Sequence, residues 1–190
     1  MTPTEGQRRL VIVRRLREIC DRDRSCFSTP PAALDDVAAA LKGYAGIIVS
    51  AMVPGAGGYD LKRDDGTSAA EQLARLVPKG HVVTAFTSIS SALIRDPASG
   101  EKPTVFTCAD DEAARSTVIA LAKEIGFEGV DAGHLDASPN IENLGLLVGQ
   151  LAYGSGFGNR VTLRAYVAPR PVRRARPGKG STMWKRRRNP

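Results

Sequence analysis

The chain has 190 residues, 42% of them hydrophobic and 25% charged, which suits one globular domain. It holds no run of about 18 apolar residues, which excludes a helical membrane span, and Arg14 and Arg15 interrupt the one candidate signal core at residues 10–13. The net charge of +7 is local: residues 169–190 carry nine cations and no acid, so residues 1–168 carry −2, and the basic pI does not identify a nucleic-acid-binding fold.

Residues 1–26 set seven arginines against four acids and read as a poorly ordered, solvated leader. Ser28-Thr29-Pro30-Pro31 is a helix entry, because proline in a first turn forfeits no hydrogen bond. Leu34, Val37, Ala38 and Leu41 then share one helical side, and Gly43 stops that helix. Residues 46–53, GIIVSAMV, are apolar throughout, as in a central parallel strand covered on both faces. The glycine-rich run from Pro54 opens a loop. Ser68 and Glu71 have the spacing of a capping box, with Ala70, Leu73, Ala74 and Val77 on the inner face of the helix they start. Residues 81–86 are the next strand, and residues 87–91 turn into a short helix.

The organising stretch is residues 102–133. A β-branched and aromatic run at residues 104–108 precedes Asp110 and Asp111, either of which can cap the following helix. Ala114, Val118, Leu121 and Ile125 recur at helical steps, Gly126 ends the helix, and Val130 sits in a short second strand. Such a β-α-β unit builds a parallel sheet. Ser138-Pro139 opens a last helix whose apolar stripe is Ile141, Leu144, Leu147, Val148 and Leu151. Gly154-Ser155-Gly156-Phe157-Gly158 follows a helix, whereas a phosphate-binding loop follows a strand, so it reads as a flexible chain exit.

The three cysteines, Cys20, Cys26 and Cys108, are odd in number and form no CxxC, so neither a disulfide frame nor a zinc site is indicated and a reduced, cytoplasmic setting follows. Cys108 reads as buried and inert, His81 as a surface residue, and His134 with Asp136 as loop residues without a third metal ligand. No metal site and no acid–base catalytic group is expected. The alternation of strands and helices gives an α/β fold with three layers.

Residues 46–55 (GIIVSAMVPG), residues 66–90 (GTSAAEQLARLVPKGHVVTAFTSIS) and residues 103–133 (PTVFTCADDEAARSTVIALAKEIGFEGVDAG), in this order, resemble the deazaflavin-dependent NADP oxidoreductases. The resemblance covers residues 27–166, the latter two-thirds of the family's fold. It implies an incomplete Rossmann-like parallel sheet with a small C-terminal helical extension, followed by a basic tail. The domain division is then residues 1–26, 27–166 and 167–190. It implies hydride transfer between NADPH and 8-hydroxy-5-deazaflavin, with both as cofactors. Val53, Pro54 and Gly55 after one strand, and Thr87 and Ser88 after another, would line the two rings. The bland alternative for these five is ordinary strand-end loop geometry.

The sequence departs from the family at two points. No strand–GxGxxG–helix unit occurs in it, which points to a degenerate nucleotide site, since that unit holds the pyrophosphate. Thr87 also stands where the family tends to have histidine. The second functional class is a non-catalytic binding protein whose basic tail, with Trp184, contacts nucleic acid or another anionic partner by counterion release; a solvated tail is the simpler reading. An uncovered sheet edge would favour a homodimer.

Overall fold

A computed structural model describes residues 34–51, 67–98 and 100–168. The leader, the proline entry at residues 28–31, the loop containing Val53, Pro54 and Gly55, and the basic tail lie outside the described residues. Helix α1 (Leu34–Ala40) leads into strand β1 (Ile47–Ser50), helix α2 (Ala69–Leu76), strand β2 (His81–Thr84) and the short helix α3 (Ser91–Arg95). Strand β3 (Thr104–Thr107), helix α4 (Glu112–Glu124) and strand β4 (Glu128–Asp131) form the expected β-α-β unit. A 3-10 turn at Leu135–Ala137, helix α5 (Ser138–Gly149) and a π-helical turn at Gln150–Gly154 complete the order.

The strands pair in parallel, β1 with β2 in the register Ile47↔His81 and β3 with β4 in the register Thr104↔Glu128. The two pairs do not continue into one another as a single parallel sheet. They meet in an antiparallel bridge at Thr84 and Cys108, whose amides and carbonyls exchange bonds of 2.9 and 3.1 Å. The same register carries the chain after β3 back along β2, so that His81 Nδ1 meets Asp111 Oδ2 at 3.1 Å. The carboxyl ends of β2 and β3 therefore abut at one seam.

Alternation along the strands sends side chains to two faces. On one face Ile48 and Val82 pack with Leu34 and Ala38 of α1, Ala70 and Leu73 of α2, and Leu135 and Ile141. On the other, Val83 and Val105 pack with Leu93 of α3, Val118 and Ala122 of α4, and Phe127. This gives the three layers that the strand–helix alternation predicts. Ser68 and Glu71 form the capping box of α2. Asp111 caps α4 by accepting from Ala114 N–H at 2.7 Å, and Gly126 closes that helix at φ +98°. Asp110 instead accepts from Leu135 N–H at 3.0 Å, tying the end of β3 to the 3-10 turn.

Two expectations need correction. The stripe expected on α5 is rotated: Ile141 and Val148 are buried, but so are Leu146, Gly145 and Glu142, while Leu147 is 45% exposed. The physical reason is Glu142, whose carboxylate bonds to backbone N–H groups of α2 and so fixes which way the helix faces. The exit after Gly154 is not loose either. Phe157 and Gly158 N–H donate back to Leu151 and Ala152, and Thr104 N–H donates to Leu163 C=O at 3.1 Å. Arg160 holds the side chain and carbonyl of Asp96, and Arg164 pairs with Glu101. Among the described residues no helix is long and apolar enough to cross a membrane.

Candidate functional site

Open α/β sheets bind ligands beyond the carboxyl ends of their strands, and here Ser50, Thr84 and Thr107 are the last residues of β1, β2 and β3. Ser50 and Thr84 are register partners on adjacent strands. The hydroxyls of Ser50 and Thr107 are buried and have no hydrogen-bond partner among the described residues. That of Thr84 is also buried, and its polar neighbour is the Cys108 thiol. An unpaired buried hydroxyl costs about 1–3 kcal/mol, so the two at the ends of β1 and β3 are positions that packing alone does not explain.

The chain leaves β2 through Ala85 and Phe86. Phe86 is buried and carries φ +63°, the one positive value among the described non-glycine residues. A bulky residue in that region costs on the order of 1–3 kcal/mol, and such strain concentrates at ligand sites. The ring is held edge-on to Phe127, with centroids 6.3 Å apart and planes at 87°. The backbone is thereby turned sharply into Thr87 and Ser88.

Thr87 and Ser88, two of the five residues read as ring-lining, are buried at 1% and 2% exposure. Thr87 Oγ1 donates to Ile141 C=O at 3.3 Å, and Ser88 C=O accepts from Thr162 Oγ1 at 3.1 Å. The loop after β2 is thus held by α5 on one side and by the exit segment on the other. The other three, Val53, Pro54 and Gly55, lie outside the described residues. Ala51 and residues 85–90, the described residues directly beyond β1 and β2, include no cation. Among the described residues, this end of the sheet therefore presents only uncharged side chains and backbone.

Beyond β3 and β4 the residues are charged. Arg115 donates to Ala109 C=O at 2.5 Å and pairs with Asp131 at 2.9 Å. Asp131 sits below the ordinary carboxylate range, first because Gly133 N–H donates to it at 2.8 Å and also through Arg115. His134 lies 3.8 Å from Asp110, and both are exposed. No group of three or more His, Cys, Asp or Glu that could hold a metal occurs among the described residues. An open groove of about 680 Å³, lined by Lys102, Lys123, Phe127 and Arg164 among others, lies at the opposite, amino ends of β3 and β4.

Cys108 is buried, as expected, and burial pushes its thiol from 9.0 to about 11, with the Thr84 hydroxyl acting in the other direction. The folded state thus holds this proton more tightly than the unfolded one. Its contribution to stability is complete below pH 9 and is lost as the pH rises from 9 to about 11. Cys108 should therefore resist a thiol-reactive dye at pH 8 in the native protein and react only on unfolding. Labelling of residue 108 before the cooperative transition would contradict the burial.

No family model matches the chain. It is 34% identical over 99 residues to the F420-dependent NADP reductase of Methanocaldococcus jannaschii, covering 50% of this chain and 44% of that protein. It also superposes on a crystal structure assigned as an F420-dependent NADP reductase from Arthrobacter sp. FB24, with a TM-score of 0.59 and 25% identity. That superposition covers 80% of this chain and 73% of the other. The chain is related to the F420-dependent NADP reductases. F420 is a deazaflavin, so the resemblance carried by the three ordered motifs holds, and the Rossmann-like fold with it. The chain spans less than half the length of this curated reductase. A shorter match, 37% identity over 79 residues, joins it to the metalloreductase STEAP2 of Mus musculus, 42% of this chain and 16% of that protein.

The strand ends are signalled in the sequence, but the Phe86 backbone is not, since φ depends on what a residue packs against. Glu142 was also hidden, because the stripe count along α5 treats a glutamate as solvent-facing.

Proposed function

We propose that the chain serves hydride transfer between NADPH and 8-hydroxy-5-deazaflavin, with the two rings meeting beyond the carboxyl ends of β1 and β2. The observation that carries this reading is the strained turn at Phe86, which leads the chain from the end of β2 into Thr87 and Ser88 in a chain related to such reductases. Relatives of two kinds, both named as reductases, support the reaction class.

The donor set fits a ring in this position. The cofactors, when bound, supply the hydride donor and acceptor themselves. The protein has to hold two flat rings in contact and exclude water, and neither task needs a titrating side chain. Val53, Pro54 and Gly55 would offer backbone and small apolar surface on one side. Thr87 and Ser88 would do so on the other, with their loop anchored to Ile141 and Thr162. The GxGxxG loop that usually cradles the pyrophosphate does not occur within these residues, so the strand ends of β1 and β2 are assigned the rings and not the pyrophosphate.

The test is NADPH titration of the full chain at about 0.05 and 0.5 M salt, followed by NADPH bleaching with a deazaflavin acceptor. Saturable binding that survives the higher salt, with stoichiometric acceptor reduction, supports the reading. Binding that vanishes with salt, and no bleaching, would sink it. The nine cations of residues 169–190 would then account for the low-salt binding, and polyanion contact by the tail would be the surviving function.

A further inference from the structure

We propose that Glu142 is a positioning residue for the ring site, joining the start of α2 to the loop after β2 through one face of α5. The inference rests on the hydride-transfer reading for its functional consequence, although the coupling itself can be measured without it. Glu142 is fully buried. Its Oε2 accepts from Ala69 N–H at 3.2 Å and its Oε1 from Ala70 N–H at 3.1 Å. Ser138, one turn earlier, meets the hydroxyl of Ser68, the N-cap of α2. Ile141, the residue before Glu142, accepts from Thr87 Oγ1. Positions 138, 141 and 142 have the spacing of one helical face.

The amount of capping is what singles Glu142 out. Ser68 N–H donates to Glu71 Oε2 at 2.7 Å, and Glu71 N–H donates to Ser68 Oγ at 3.0 Å, so α2 already has a complete capping box. Glu142 satisfies the two donors between them, and it does so from 72 and 73 residues away. Burying a carboxylate is costly even when it is well bonded. A local cap would meet the same need at lower cost, whereas a distant one also fixes how α5 sits on α2. Because the same turn of α5 holds Thr87, that docking sets where the loop after β2 stands. Misplacement of a reacting ring by about an ångström can cost on the order of 100-fold in rate.

The experiment compares the full chain with Glu142→Gln, which keeps the volume and one acceptor oxygen but turns an amide group toward a backbone N–H. Amide exchange is followed over residues 68–76 and 85–90, together with kcat and KM for NADPH oxidation by a deazaflavin. Expected are exchange about tenfold faster in both segments and kcat lower by about tenfold with KM changed less than threefold. Faster exchange confined to residues 68–76 would overturn the proposal and leave Glu142 as a plain cap. Thr87→Val keeps both Glu142 bonds but cuts the link to Ile141. It should speed exchange over 85–90 alone, and it carries the test if Glu142→Gln does not fold. An unchanged 85–90 segment in Thr87→Val would also overturn the proposal. If neither protein oxidises NADPH, the hydride-transfer reading falls, while the exchange data still decide the coupling.

Discussion

Phe127→Ala is expected to destabilise the protein by about 3–5 kcal/mol, the usual cost of deleting a buried aromatic ring. Phe127 has 0% exposure and is the largest fully buried side chain among the described residues, set between α4 and the start of β4. It also supports Phe86 edge-on, so its loss removes both apolar burial and the contact that holds a strained backbone. At roughly 2–4 °C per kcal/mol for a domain of this size, the melting temperature should fall by about 10 °C. A companion pair isolates the strain. At an ordinary position alanine is more stable than glycine by about 0.5–1 kcal/mol. At φ +63° the order should reverse, with Phe86→Gly more stable than Phe86→Ala by about 1 kcal/mol. Denaturant unfolding of the three variants checks both statements. A Phe86→Ala protein as stable as Phe86→Gly, or more so, would mean the turn into Thr87 is not strained.

Gly129→Ala is the second large effect. Gly129 lies in β4 where the strand passes under α4, and an added Cβ would stand 2.8 Å from the Ile119 carbonyl oxygen and 3.2 Å from its Cα. These are backbone atoms of a helix and cannot rotate away. Relief requires α4 and β4 to separate, which would open the layer containing Val118 and Ala122. Overpacking of this kind costs about 1–3 kcal/mol and occasionally more, and the upper part applies because the obstacle is main chain. A Tm drop below 2 °C would show that the helix shifts freely, contrary to the close approach.

The β-α-β unit was legible because local chemistry and tertiary position agree there. Asp111 can cap only a helix that begins after it, and Ala114, Val118 and Leu121 are buried where their spacing put them. The capping box at Ser68 and Glu71 was legible for the same reason: both bonds close within one turn. The family resemblance was legible because motif order survives even where individual motifs are weak.

What the sequence determined by itself was therefore local: where helices start and stop, which short runs are strands, the excess of charge in residues 169–190, and kinship with a reductase family. Only the tertiary structure decided how the two strand pairs meet. The bridge from Thr84 to Cys108 joins residues 24 positions apart, and no periodicity encodes it. Only the tertiary structure turned α5 so that Leu147 faces out and Glu142 faces in, because two bonds to the distant start of α2 outweigh the hydrophobic count along one helix. The Phe86 backbone belongs to the same class. A positive φ at phenylalanine is unfavourable locally and persists because the ring is held by Phe127, 41 residues away in the chain. Interactions that close within a turn can be read from spacing, and those that close across the fold are chosen by the packing.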